Sequence, residues 1–365
     1  MMRRVAGRRI LSVVGTRPNF MKIAPIAAAI SRRGDGFEHL LVHTGQHYDA
    51  AMSDVFFSDL GVGEPHYRLE VGAGSHAQTT ARVMERLEPL LEELRPDVVL
   101  VPGDVNSAMA AALVAAKLDL TVGHVEAGLR SFDRTMPEEV NRVVVDAVSD
   151  LLFVHSPEAV EHLRAEGQPP ERVHYVGNTM IDTLMAMRER IDARPALDGL
   201  PPKAYLVVTL HRPALVDGPL LRDAVQALQA VAGSLPVVFP VHPRTRARIA
   251  AEGIALDPDG PLRLLEPLGY LDFLALVARS SGVLTDSGGI QEETTYLGVP
   301  CLTLRANTER PVTVDVGTNV LLGLDPGRIR DAPALLAEVR GRSAQVPPLW
   351  DGKASERIVD VLAAL

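Results

Sequence analysis

The chain has 365 residues, enough for two domains of ordinary size and too many for one small module. Hydrophobic residues make up 47% and charged residues 23%, with Gly 29 and Pro 27 dispersed along the chain, which excludes a disordered, collagen-like or low-complexity protein. Lys+Arg 37 against Asp+Glu 46 give a net charge of -9 with no long basic run, so nucleic acid is excluded as a partner.

The N-terminus carries Arg3, Arg4, Arg8 and Arg9 before an apolar run at 10–14 that is shorter than the core of a signal peptide and ends in Gly-Thr-Arg-Pro. That run reads as the first strand. Further strands are expected at 40–43, 98–101, 121–125, 151–154 and 173–176, with helices at 21–30, 78–94, 107–118, 138–147 and 157–166 between them. The strands are mostly apolar, as in a parallel sheet covered on both faces. Around 191–202 the periodicity lapses into Ala-Arg-Pro-Ala-Leu-Asp-Gly-Leu-Pro-Pro, a turn-rich connector. A second series follows, with strands at 206–209, 237–241, 282–285 and 301–304 and helices at 220–231, 271–279 and 289–297. The expected fold class is therefore α/β, two doubly wound units with a ligand in the cleft between them at the carboxyl ends of the strands. No apolar stretch approaches the ~18 residues of a membrane span. The single Cys301 allows no internal disulfide and no cysteine zinc site, which fits a reducing cytoplasm.

Strand one runs into Gly15-Thr16-Arg17-Pro18-Asn19-Phe20-Met21-Lys22, a glycine turn, a proline suited to a helix's first turn and two cations five residues apart. Cations and open amides there suit a phosphate; the plainer alternative is that Arg17 and Lys22 solvate the sheet edge. In the second series, Leu284-Thr285-Asp286-Ser287-Gly288-Gly289-Ile290-Gln291-Glu292-Glu293 reads strand, tight glycine loop, helix. Gly288 and Gly289 let a ligand approach the backbone, Ser287 and the first helix amides suit an anion, and Glu293 can accept from ribose hydroxyls. A capped helix with a glycine turn fits the same residues. Arg310, after the next strand, is a further phosphate candidate. No G-x-G-x-x-G opens a helix after a strand and no G-x-x-x-x-G-K-[ST] occurs, which disfavours hydride and triphosphate chemistry.

Three carboxyl groups stand at the first series' strand ends. Asp104 follows the strand at 98–101, Glu126 follows the strand at 121–125, and Glu138 opens the next helix. Neighbouring carboxylates can divide acid and base roles. Glu138 also fits the first-turn acid that a helix dipole favours, and Arg130, Arg134 or Arg142 are possible partners for Asp104 and Glu126. Among the histidines, His211 at a second-series strand end suits a phosphate donor or an acid, and His47 is similarly placed in the first series. His43, His124, His155 and His242 read as satisfied polar groups. The spacing of His39, His43 and His47 falls on a strand and a glycine loop, spanning ~13 Å per step, so no metal site is expected.

Taken together, G-T-R-P-N-F-M-K (15–22), H-T-G-Q-H-Y-D (43–49), P-G-D (102–104), H-V-E-A-G-L-R-S (124–131), M-P-E-E-V-N-R (136–142), V-G-N-T-M-I-D (176–182), T-L-H-R-P (209–213), P-V-H-P (240–243), L-T-D-S-G-G-I-Q-E-E (284–293) and T-E-R-P (308–311) resemble the non-hydrolysing UDP-N-acetylglucosamine 2-epimerases. The resemblance runs in order from about residue 10 to residue 323. It implies the GT-B architecture of two Rossmann-like domains. The first would be 1–178, completed by a C-terminal helix at about 352–365, and the second, UDP-binding one 179–351. It implies that Arg17, Lys22, His211, Phe273, Ser287, Gly288, Gly289, Glu293 and Arg310 match nucleotide-binding positions, with the Leu268 backbone and the Phe273 ring near uracil. Asp104, Glu126 and Glu138, with His211, match positions implicated in catalysis. The implied reaction is reversible epimerisation at C2 of UDP-GlcNAc to UDP-ManNAc, by a cytoplasmic homodimer without metal or cofactor and without nucleic-acid or membrane partners. Two departures stand out. Asn19 takes the place of a common Glu, and Ala214 and Leu215 replace the Glu-Asn of a His-Arg-x-Glu-Asn segment, which leaves Gln46, His47 and Arg212 as a possible remnant of a second, effector site.

Overall fold

The computed structural model describes residues 7–34, 36–45, 61, 63–257 and 260–365. The chain divides into two compact units, Met1–Ala186 with Pro348–Leu365, and Met187–Pro347.

The first unit holds a parallel sheet of β1 (Arg8–Val14), β2 (Phe37–His43), β3 (Tyr67–Arg68), β4 (Val98–Pro102), β5 (Thr121–Val125), β6 (Leu151–Val154) and β7 (Val173–Tyr175), in the order β3-β2-β1-β4-β5-β6-β7. Its helices are α1 (Arg17–Arg33), α2 (His76–Leu94), α3 (Asn106–Lys117), α4 (Pro137–Val148), α5 (Pro157–Ala165) and α6 (Thr179–Ala186). Every residue of β4 and β6 is buried, as the unbroken apolar runs demanded. The strand order reverses between β1 and β4, so the loops leaving these two neighbours part to opposite faces and open a crevice at their carboxyl ends.

The second unit adds α7 (Arg188–Asp192), β8 (Leu206–Thr209), α8 (Pro213–Val216), α9 (Leu220–Ala232), β9 (Val237–Pro240), α10 (Pro243–Ala251), β10 (Leu262–Leu265), α11 (Tyr270–Arg279), β11 (Gly282–Thr285), α12 (Gly288–Leu297), β12 (Cys301–Thr303), α13 (Val312–Asp315), β13 (Asn319–Leu321) and α14 (Ala332–Gly341). Its parallel sheet runs β10-β9-β8-β11-β12-β13, with the reversal between β8 and β11. Alternate residues feed two cores: Leu206, Val208, Phe239 and Leu284 on one face, Val207, Val238 and Val283 on the other. Cys301 is fully buried there, and burial pushes its thiol up to about 11.

Two elements differ from the sequence expectation for physical reasons. Helix α1 begins four residues before the expected 21, because Thr16 and Asn19 cap it and Pro18 sits in its first turn. Helix α6, placed in the second unit by the sequence reading, packs in the first: Thr183 Oγ1 donates to the Met21 carbonyl at 2.6 Å. From α6, Asp182 anchors the last helix, α15 (Ala354–Ala364), accepting from Ala354 N at 3.2 Å and from Ser355 N at 2.7 Å. Burial raises the Asp182 carboxyl against the pull of these hydrogen bonds. Among the described residues no helix is long and apolar enough to cross a membrane.

Candidate active site

At the first unit's strand reversal, Asn19 ties the two loops together. Its carboxamide oxygen accepts from Gly15 N at 3.1 Å and Thr16 N at 2.9 Å, and its Nδ2 donates to the Pro102 carbonyl at 2.8 Å. One turn on, Lys22 crosses the end of β4 to reach Glu126, the residue after β5, with Nζ 2.5 Å from Oε2 and both side chains more than nine-tenths buried. That path passes directly over Gly103, where an added Cβ would lie 2.7 Å from Lys22 Nζ. Gly103 also has φ +67°, a left-handed turn that glycine adopts at least cost. Glu126 itself holds φ +75°, uncommon for a residue with a side chain and the kind of backbone strain that concentrates at functional sites. The register that pairs Pro102 with Val125 sets Gly103 and Asp104 beside Glu126 on adjacent strand ends.

Helix α4 supplies the frame around Asp104. Arg142 binds Asp104 Oδ2 through Nε at 3.0 Å and a terminal nitrogen at 2.6 Å, and its other terminal nitrogen reaches Glu139 at 2.6 Å. Burial alone would raise the Glu139 carboxyl; the Ser131 and Phe132 amides and the Arg142 guanidinium outweigh it and hold Glu139 below the usual carboxylate range. Glu138 makes no hydrogen bond or ion pair among the described residues and stays partly exposed in the first turn of α4. Of the three arginines considered as partners, Arg142 takes Asp104, Arg130 goes to Asp146 and Glu166, and Glu126 is held by Lys22 instead.

In the second unit Asp286, the residue after β11, organises the crossing. It is nearly inaccessible and accepts from the amides of His211 at 2.8 Å and Arg212 at 2.7 Å, while its other oxygen lies 2.9 Å from His211 Nδ1. Burial works against its charge, but His211 and the two amides hold its carboxyl below the usual range. The carboxylate beside Nδ1 orients the His211 ring, about half of which stays exposed. Ser287 stands at the N-cap position of α12 without a side-chain capping bond, and Gly288 is required by the neighbouring arginine: a Cβ there would lie 2.6 Å from an Arg310 terminal nitrogen. Arg310 is buried between Glu292, at 2.9 Å, and Glu309, at 2.5 Å, and Glu309 also binds Arg305 at 2.7 Å. Glu293 accepts from Tyr270 Oη at 3.0 Å, Gly289 is the second residue of α12, and Phe273 and Leu268 are half-buried beside the core that contains Val277 and Val299.

Each unit thus gathers its expected residues at its own strand reversal: Lys22, Asp104 and Glu126 in the first, His211, Ser287, Gly288 and Arg310 in the second. Arg17 is exposed in the first turn of α1. Gln46 and His47 lie outside the described residues, while Arg212 donates through Nε to the Asp286 carbonyl at 2.9 Å. Leu215 is turned into the second unit's core and Ala214 is exposed. The sequence reading gave no role to Asp146, Asp286, Glu292 or Glu309. All four are buried acids; Asp146, between Val145 and Ala147 on a helix, and Asp286, just past a strand, carried a local signal, whereas Glu292 and Glu309 sit among polar neighbours and carried none.

Two doubly wound parallel units, one with carboxylates and one with a Ser-Gly-Gly helix start and an arginine near its strand reversal, place the protein in the GT-B fold class. The family model described as UDP-N-acetylglucosamine 2-epimerase matches residues 28–363. The UDP-N-acetylglucosamine 2-epimerase of Methanocaldococcus jannaschii is 38% identical over 360 residues, covering 96% of this chain and 97% of that protein. The UDP-2,3-diacetamido-2,3-dideoxy-D-glucuronate 2-epimerase of Pseudomonas aeruginosa is 39% identical over 365 residues, covering 98% and 100%. The crystal structure of the Methanocaldococcus jannaschii UDP-GlcNAc 2-epimerase in complex with UDP-GlcNAc and UDP matches with a TM-score of 0.89 at 36% identity, over 98% of this chain and 100% of that one. The chain belongs to the UDP-N-acetylglucosamine 2-epimerase family.

Proposed function

We propose that this chain interconverts UDP-GlcNAc and UDP-ManNAc without net hydrolysis. The sugar's C2 proton lies next to no carbonyl, so simple deprotonation is too slow, and the sequence carries no dinucleotide loop for a redox detour. Elimination solves this. A base takes the C2 proton while the C1–O bond to UDP breaks on the opposite face, giving 2-acetamidoglucal; an acid then returns a proton to C2 from the other face as UDP adds back to C1. Two proton-carrying groups and a cationic hold on the diphosphate are needed. Asp104 and Glu126, each gripped by its own cation, are the candidates for the two faces, with Glu138 the unrestrained third carboxyl. His211, Ser287, the amides of Gly288 and Gly289, and Arg310 are the candidates for UDP, joined by Arg17, Glu293, Phe273 and the Leu268 backbone.

The observation that carries the reading is the pair of cation-held carboxylates, Asp104 and Glu126, on neighbouring strand ends. Incubation with UDP-GlcNAc, followed by NMR, tests it: a mixture of two nucleotide sugars supports it, and free UDP with a reducing sugar supports a hydrolysing enzyme. The full-length similarity to the diacetamido-glucuronate epimerase favours a second reading, a related 2,3-diacetamido substrate, which the same assay with that nucleotide sugar decides. The proposal takes the enzyme as a cytoplasmic homodimer working without metal, checked by sedimentation and by undiminished turnover after chelation.

A further inference from the structure

The peptide that carries Asp104 is gripped at three points. Arg142 holds its carboxylate, Asn141 Nδ2 donates to its carbonyl at 2.8 Å, and the carbonyl before it, that of Gly103, lies 2.9 Å from His124 Nε2. His124 is fully buried, and its other ring nitrogen lies 2.6 Å from Asp146 Oδ1. The Gly103 carbonyl can only accept. Asp146 accepts as well: burial works against its charge, yet His124 and Arg130 hold its carboxyl below the usual range. Nε2 of His124, facing an oxygen that can only accept, therefore carries hydrogen and donates it to the Gly103 carbonyl. Asp146 is fixed in turn by Arg130 at 2.7 Å and by the Gly128 amide at 3.1 Å.

Asn141, Arg142 and Asp146 all stand on α4, so one helix sets the Asp104 peptide by two direct contacts and one through His124. The indirect contact matters because of where it acts. Glycine crosses between backbone regions more freely than any other residue, so the peptide plane between Gly103 and Asp104 is the least constrained link in the loop. The hydrogen bond to the Gly103 carbonyl fixes that plane, and rotating it would swing Asp104 away from its arginine.

We infer that His124 is a positioning residue for the reaction, fixing the Asp104 carboxylate through the Gly103 carbonyl while Asp146 holds the ring in register. The inference rests on the proposed catalytic role of Asp104. Two substitutions separate the ring's two bonds. In His124→Gln the amide nitrogen takes the place of Nε2 and keeps the Gly103 contact; in His124→Asn it takes the place of Nδ1 and keeps the Asp146 contact. We expect His124→Gln to retain kcat within about threefold and His124→Asn to lose about tenfold or more, with KM for UDP-GlcNAc little changed in both. Thermal stability should rank the other way, with His124→Asn the more stable. If kcat follows stability, the role is structural and the inference falls. Where neither variant folds, a long-range 1H–15N spectrum of the 15N-histidine wild-type protein decides. Hydrogen on Nε2 of His124 supports the clamp, and a ring with hydrogen on Nδ1 alone removes it. Asp104→Asn is the control: wild-type turnover there overturns the role of Asp104 itself, whereas a slow Asp104→Asn beside equal His124 variants overturns only the inference.

Discussion

Gly103→Ala perturbs the Lys22–Glu126 pair without substituting either partner. The new Cβ would lie 2.7 Å from Lys22 Nζ and 3.8 Å from Asn19 Nδ2, so the ammonium must retreat by about 1 Å to reach ordinary contact. Lengthening a 2.5 Å ion pair by that amount removes about 2 kcal/mol of attraction at an effective dielectric constant of about 20. Alanine at φ +67° adds about 1–2 kcal/mol of backbone cost. Gly167→Ala is the matched control, since Gly167 has φ +81° in the same unit and a Cβ there meets nothing within 4 Å. Urea unfolding should show a loss of about 1–2 kcal/mol for Gly167→Ala and about 2 kcal/mol more for Gly103→Ala. Turnover of UDP-GlcNAc should be unchanged in the control and fall about 10²-fold in Gly103→Ala, the usual consequence of a catalytic group misplaced by about 1 Å. A Gly103→Ala enzyme within threefold of the control's kcat would refute a working role for the pair.

Other outcomes follow from the same geometry. Arg310→Ala leaves Glu292 and Glu309 buried with a cation removed, so it should lower unfolding stability by about 3 kcal/mol as well as weaken UDP in calorimetry, and unchanged stability would contradict the buried ion-pair chain. Burial first, then His66, pushes His39 down to about 4, and burial first, then Arg68, does the same for His43. Both stay uncharged in the folded chain where the unfolded chain binds protons, so stability should fall as pH drops from about 6.5 toward 4; equal urea midpoints near pH 7.5 and near pH 5 would disprove it. Because Leu215 is in the core and Ala214 offers only a methyl, UDP-ManNAc should turn over from the first moment with a Hill coefficient near one. Progress curves that stay flat until UDP-GlcNAc is added would show an effector site that these side chains do not supply.

The strands that carry the site were legible in the sequence because they are central. β1, β4, β5, β8 and β11 are mostly apolar, and a parallel sheet obliges the residue after each to face the ligand end. Edge elements hid. β3 is two residues long, β10 is interrupted by Arg263, β13 has three residues, and α10, Pro-Arg-Thr-Arg-Ala-Arg-Ile-Ala-Ala, buries only Thr245 and Ile249. At the candidate site, local cues singled out Asp104, Glu126, His211 and Arg310, but their partners needed the strand order. Lys22 and Glu126 are 104 residues apart, and only the adjacency of β1, β4 and β5 brings them together across Gly103. The same holds for Asp286 with His211, joined by the neighbouring β8 and β11. Leu215 was read as a missing polar contact; its burial shows that this position now serves packing.

The fate of the C2 hydrogen tests the proposed chemistry most directly. Turnover of UDP-GlcNAc in heavy water should place deuterium at C2 of the UDP-ManNAc formed, with traces of UDP and 2-acetamidoglucal released. Product that keeps the original hydrogen at C2 would contradict elimination and re-addition by the carboxylates of the first unit.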